Sequence, residues 1–143
     1  MRYVFVYGTL RPGEMYHHLI GRYVRDVKPA FIRGKLYQLP EGYPALVLAK
    51  DLPGGMDSVD VRGELLGVDE QDKVLAILDE LEDYYGPNDP RNLYERKSVT
   101  VLTRSGIPKE CYIYVFVPGK LQWLEQNAMP IPRGDWVTWR RNR

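Results

Sequence analysis

The stretch Asp69-Glu70-Gln71-Asp72-Lys73-Val74-Leu75-Ala76-Ile77-Leu78-Asp79-Glu80-Leu81-Glu82-Asp83-Tyr84-Tyr85-Gly86-Pro87 holds the one strong helical pattern of the chain. Val74, Leu78 and Leu81 recur at i, i+4 and i+7, the spacing of one apolar helix face. Asp69 is placed to cap this helix, with Asp72 three residues on in a box-like position, and Gly86-Pro87 forces its end. The segments on either side read as strands. Upstream these are Arg2 to Tyr7, Ala30 to Gln38, Ala45 to Ala49 and Val61 to Val68; downstream they are Leu93 to Thr103 and Glu110 to Val117. In the last of them Cys111, Ile113, Val115 and Val117 alternate with Tyr112, Tyr114 and Phe116, so the two sets take opposite faces. A short helix is expected around Met15 to Arg22, and Pro118 to Arg143 is expected to wrap the domain as irregular structure. One main helix inserted before the last two strands, without the regular alternation of a doubly wound sheet, predicts an α+β or mixed-barrel fold.

Composition narrows the function. With 143 residues, 44% hydrophobic and 27% charged, residues 1–143 read as one globular domain. Twenty Lys plus Arg against nineteen Asp plus Glu leave a formal charge of +1, too little for the field that drives phosphate-backbone binding. No nucleic-acid partner is expected. The longest apolar or aromatic run is Cys111 to Val117, against the roughly twenty residues a spanning helix needs, so no membrane partner is expected either. Tyr3 to Tyr7 is too short for a signal-peptide core, which makes a cytoplasmic location the expectation. One cysteine, Cys111, allows neither an intrachain disulfide nor a multi-cysteine metal site. His17 and His18 are adjacent, so their side chains diverge, and no metal is expected. Eleven tyrosines suit a small pocket for polar ligands, although ordinary strand positions account for most of them.

The loop Gly8-Thr9-Leu10-Arg11-Pro12-Gly13 begins like a nucleotide-phosphate loop, but Glu14 and Met15 stand where Lys and Ser/Thr are required. There is no G-x-S-x-G elbow, no H-E-x-x-H and no Cys/His pair with a third partner. An enzyme built from this chain takes its nucleophile from the substrate. Arg133-Gly134-Asp135 matches an adhesion tripeptide, and chance is the better account in a chain read as cytoplasmic. The tail Trp139-Arg140-Arg141-Asn142-Arg143 either touches RNA or phosphate or is a solvated basic terminus, and the second reading is preferred.

Two features point to chemistry. With Val74 at zero and about 100° per residue, Leu81, Leu78 and Ile77 fall within roughly 60° of it, and form the buried stripe. Glu82 lies near 80°, Asp79 near about 140°, Asp83 near about 180° and Glu80 near about 240°, so of the four acids only Glu82 borders the stripe. It also sits where the negative helix end and neighbouring acids disfavour its charge, which raises its pKa toward neutrality; the bland alternative is a rim glutamate in water. The second feature is the strand-to-loop turn at Tyr7 to Leu10. Gly8 lets a ligand approach the main chain, and successive N–H groups there can form a nest for a carboxylate; the alternative is a plain tight turn.

These residues resemble a known family. Phe5-Val6-Tyr7-Gly8-Thr9-Leu10-Arg11-Pro12-Gly13, Gly34-x-Leu36-Tyr37, Tyr43-Pro44-Ala45, Val61-x-Gly63-Glu64-Leu65, Leu78-Asp79-x-Leu81-Glu82, Tyr94-Glu95-Arg96, Tyr114 and Gly134-Asp135-Trp136 together resemble the γ-glutamylcyclotransferase-like superfamily. Each is weak alone, and eight in order along nearly the whole chain are specific. The Tyr7-Gly8-Thr9-Leu10 form is closer to the γ-glutamylamine cyclotransferase and AIG2-like branch than to the glutathione-specific branch, which carries Y-G-S-L. The resemblance implies a small mixed β-barrel with flanking helices and a reaction without cofactor or metal. In it the α-amine of a small-molecule γ-glutamyl substrate attacks its own γ-carbonyl, giving 5-oxoproline and a free amine. By position, Glu82 matches the catalytic glutamate, and Tyr7, Gly8, Thr9 and Leu10 match the loop that cradles the glutamyl group. Tyr114 matches a strand tyrosine near the site, and Arg96 matches a substrate-binding position, with a structural ion pair an equally good account of it. The insertion Tyr84 to Asn92 lengthens the usual link between the glutamate and Tyr94-x-Arg96 and is expected to reshape the amine pocket. The rival readings are a non-catalytic module that binds a γ-glutamyl or amino-acid ligand, and a protein or RNA interaction factor acting through the tail.

Overall fold

A computed structural model describes residues 2–142. Its elements in order are β1 (Arg2–Val6), β2 (Val24–Gln38), β3 (Pro44–Leu48), β4 (Val59–Val68), α1 (Gln71–Leu81), β5 (Tyr94–Thr103), β6 (Pro108–Phe116), α2 (Leu121–Asn127), β7 (Met129–Ile131) and α3 (Trp136–Arg141). The hydrogen-bonded order is β3-β2-β4-β1-β6-β5, and β5 returns to β2 through Ala30 opposite Thr103 and Phe31 opposite Leu102. Strands β2, β4, β1, β6 and β5 therefore close a barrel. β1 and β6 are parallel, while the other barrel pairs are antiparallel, so the barrel is mixed, as expected. β3 and β7 pair with the far end of β2, outside the closed ring.

Apolar side chains fill the barrel and both of its flanks. Phe5, Leu36, Val61, Leu65, Ile113 and Val115 pack inside with Trp136. Val4, Val6, Leu66 and Tyr114 pack outside against Val74, Leu75 and Leu78 of α1. On β6 the alternation is as read, with Cys111, Ile113 and Val115 inward and Tyr112 and Tyr114 toward α1. Covering both faces of a strand removes the polar half of the pattern, which is why alternation is weak in this sequence.

Three local expectations differ from the structure. Asp69 does not cap α1: Glu70 holds that position in left-handed backbone (φ 49°) without a side-chain cap, while Asp69 pairs with Arg25 at 2.7 Å. Met15 to Arg22 forms two 3-10 turns, His17–Leu19 and Gly21–Tyr23, instead of a helix. The tail is ordered as α2, β7 and α3; each element is too short to show a period, and each is held by burial of Leu124, Ile131 and Trp136. No helix among the described residues is long and apolar enough to cross a membrane.

Candidate active site

A cavity of about 660 Å³ opens where the loop after β1 meets the end of α1 and the segments leading into β3 and β5. Phe5, Tyr7, Leu10 and Tyr114 give it a buried floor, while Tyr43, Tyr85 and Leu93 are exposed at its rim.

Glu82 enters from the end of α1. The helix stops at Leu81, earlier than Gly86 would require, because Asp83 adopts left-handed backbone (φ 51°). Aspartate tolerates that conformation better than most residues. The Glu82 N–H still donates to the Leu78 carbonyl at 2.9 Å, which holds the residue on the helical path and its side chain at the stripe's edge. Burial pushes the Glu82 carboxyl up to about 7, and the Asp83 charge adds to this. Burial, more than the helix end, is thus the main cause. A carboxyl poised near neutrality can both accept and donate a proton there.

The Tyr7–Leu10 turn lines the same cavity. The Arg11 N–H donates to the Gly8 carbonyl at 3.1 Å, and the Tyr16 N–H to the Thr9 carbonyl at 2.8 Å, which folds the loop back on itself. Among the described residues, none of the N–H groups of Gly8, Thr9 and Leu10 donates to a backbone carbonyl, as a nest for an anion requires. Gly8 has a second reason to be glycine: a Cβ there would lie 2.5 Å from Cγ of Pro44, which also lines the cavity. His17 Nδ1 donates to the Leu10 carbonyl at 2.9 Å and braces the turn from behind.

Tyrosine hydroxyls tie the walls together. Tyr7 donates to the Tyr114 carbonyl at 2.7 Å, and Tyr94 donates to the Pro44 carbonyl at 2.7 Å. Burial raises both hydroxyl pKa values, and the Glu82 charge adds to it for each. Both remain protonated donors. Behind the floor, Asp79 accepts from the Tyr114 hydroxyl at 2.5 Å and from Arg96 Nη1 at 2.6 Å. The Arg96 guanidinium lies 5.4 Å from the Tyr84 ring centre and 5.5 Å from that of Tyr112.

A sequence model of the family described as gamma-glutamyl cyclotransferase, AIG2-like, matches residues 4–138. The chain belongs to the γ-glutamyl cyclotransferase, AIG2-like family. It is 41% identical over 93 residues to a gamma-L-glutamyl-butirosin B gamma-glutamyl cyclotransferase of Niallia circulans, covering 65% of this chain and 53% of that one. It therefore spans about half the length of that relative. A candidate gamma-glutamylcyclotransferase of Drosophila melanogaster is 32% identical over 123 residues, covering 78% of this chain and 68% of that one. Among solved structures, an AIG2-like protein of Mus musculus matches with a TM-score of 0.54 and 26% identity, over 87% of this chain and 82% of that one. YkqA of Bacillus subtilis matches with a TM-score of 0.59 and 25% identity, over 94% of this chain and 39% of that one.

In this cyclotransferase-family barrel, six of the seven residues singled out from the sequence meet in one cavity: Glu82, Tyr7, Gly8, Thr9, Leu10 and Tyr114. Arg96 is not among the lining residues and is engaged with Asp79. Sequence reasoning passed over Asp79, Tyr94 and Tyr16. Leu75, at about 100° on the same wheel, is buried and widens the stripe past Glu82, which brings Asp79 to the same edge. Tyr94 stands in the sequence only as part of Tyr94-Glu95-Arg96, with no role attached, and Tyr16 carries no local signal, because the cavity both line is closed by segments far away in sequence. The Arg-Gly-Asp match is structural: Gly134 (φ 70°) lies so close to β4 that a Cβ would come within 2.2 Å of the Asp60 carbonyl oxygen, and Asp135 caps α3. In the tail, Arg140 and Arg141 pair with Glu14, and Arg143 lies outside the described residues.

Proposed function

We propose that this protein cyclises a γ-glutamyl amine or γ-glutamyl amino acid to 5-oxoproline and releases the amine, with Glu82 as the general acid and base. The observation that carries this reading is a carboxyl raised to about 7 that faces, across one cavity, a turn of undonated N–H groups. The substrate's α-carboxylate sits on the N–H groups of Gly8, Thr9 and Leu10, and its γ-carbonyl lies beneath Glu82. The released amine points to the rim at Tyr43, Tyr85 and Leu93.

Glu82 as carboxylate takes a proton from the α-ammonium. The freed nitrogen attacks the γ-carbonyl carbon, forming the new C–N bond as the carbonyl electrons move onto oxygen. Glu82, now protonated, donates to the departing nitrogen, the old C–N bond breaks and the carbonyl re-forms. Two protons leave the α-nitrogen in all and the departing amine gains both, so it is released as an ammonium and the carboxylate is restored. Holding the chain folded supplies the high effective molarity of a five-membered ring closure, so this scheme uses no cofactor, metal or protein nucleophile.

The test is incubation with a panel of γ-glutamyl amines and γ-glutamyl amino acids, read as 5-oxoproline. The N-acetylated form of each active compound is expected to be inert, because its nucleophile is blocked. Binding of the panel without any 5-oxoproline would replace this reading with that of a ligand-binding module.

A further inference from the structure

The turn that faces Glu82 is held from outside by Glu64 of β4 and by both ends of the short helix α3. Arg11, three residues after Gly8, donates through Nε and Nη2 to Glu64 at 2.7 and 3.0 Å and through Nη1 to Asp135 at 3.0 Å. Glu14, whose side chain is only 3% exposed, accepts from both Arg140 and Arg141. The two charges of the loop, Arg11 positive and Glu14 negative, thus meet the N-cap acid and the last-turn bases of α3 in matching order. The helix itself is rooted: Trp136 is buried in the barrel, its Nε1 donates to Gln38 at 2.6 Å, and the Arg140 guanidinium lies 4.6 Å from its ring centre. The Arg11 N–H bond to Gly8 and the Glu14 N–H bond to Arg11 carry this restraint into the turn.

We infer that α3 is a clamp that sets the conformation of the Gly8–Glu14 loop and thereby the affinity for substrate, with Arg11, Glu14, Asp135, Arg140 and Arg141 as positioning residues. The consequence for affinity rests on the proposed reaction, in which this loop holds the glutamyl group; the consequence for loop order does not. Arg11 must be arginine here, since only a guanidinium fork reaches two carboxylates in plane. Glu14 and the Arg11 pairs have little exposure while Arg140 and Arg141 lie nearer the surface, and two backbone bonds link the pairs to the turn, which gives a coupling of ordinary size for residues that act through a neighbour.

Two variants separate clamp from scaffold. Asp135→Asn keeps a good N-cap for Thr138 while removing the charge that faces Arg11. The double variant Arg140→Gln with Arg141→Gln frees Glu14 at the other end. Both are expected to raise KM on the order of tenfold with kcat within about twofold of wild type, and to speed amide hydrogen exchange at residues 8–14. Arg11→Lys is expected to behave like Asp135→Asn. Wild-type exchange rates in both Asp135→Asn and the arginine double variant would overturn the clamp. Faster exchange with KM unchanged would overturn its role in affinity. If wild-type protein makes no 5-oxoproline, the proposed reaction fails instead, and hydrogen exchange still decides the clamp.

Discussion

Glu82→Gln tests stability and catalysis with one substitution, because the same proton governs both. Glutamine keeps the size and some hydrogen bonding but cannot titrate. In the folded protein the carboxyl stands at about 7 against an ordinary 4.5, so between these values the folded state holds a proton that the unfolded chain releases. Unfolding free energy therefore falls as pH rises through that window and levels off above about 7. At about 1.4 kcal/mol for each pH unit, with some screening for a half-buried group, the ionised form costs about 2–3 kcal/mol of stability. Glu82→Gln escapes this cost. Urea unfolding of both proteins at several pH values is expected to show the variant gaining on wild type by that amount between about pH 4.5 and pH 8. Turnover is expected to move the other way: loss of a general acid and base removes on the order of 10² to 10⁴ in rate, or about 3 to 5.5 kcal/mol of barrier. Wild-type kcat/KM is expected to rise with an ionisation near 7, since the reaction starts from the carboxylate, and that limb is expected to vanish in the variant. Glu80→Gln, on the exposed side of α1, serves as control and is expected within roughly threefold of wild type. A stability difference flat with pH would refute the buried-proton account. Wild-type turnover in Glu82→Gln would refute its role in the reaction.

Further outcomes follow from the same geometry. Gly8→Val pushes Pro44 out of the cavity wall and is expected to raise KM and lower the melting temperature together; unchanged kinetics with circular dichroism intact would demote the loop to a structural turn. Arg96→Gln leaves Asp79 half-buried without its cation and is expected to cost about 1–3 kcal/mol in chemical denaturation, with KM little changed; a large KM effect would return Arg96 to the substrate. Tyr94→Phe removes the donor to the Pro44 carbonyl and is expected to cost about 1 kcal/mol by denaturant titration. Exhaustive chelation and Cys111→Ala are each expected to leave turnover intact, because burial pushes the thiol up to about 12 and keeps it protonated; a large loss with the fold preserved would contradict the proposed chemistry.

Patterns confined to one element are legible in the sequence alone. The stripe of Val74, Leu78 and Leu81 located α1, the two-residue period of Cys111 to Phe116 located β6, and the place of Glu82 at the stripe's edge singled it out. Periodicity reports which face of an element is buried, but not what it is buried against. Closure of the barrel between Ala30 and Thr103, Tyr94 bonded to Pro44, Asp79 shared by Arg96 and Tyr114, and α3 laid across the Gly8–Glu14 loop all join residues far apart in sequence. Of the two accounts of Arg96, the fold pairs it with Asp79, and it sets Gly8 against Pro44 as well as at the mouth of the turn. Local sequence thus determined the main helix, the barrel strands and the acid at the edge of that helix, because backbone period and side-chain polarity act within a few residues. The cavity that raises that acid's pKa, and the clamp on the loop facing it, came only from the tertiary fold, because desolvation and ion pairing depend on which distant groups the closed barrel brings together.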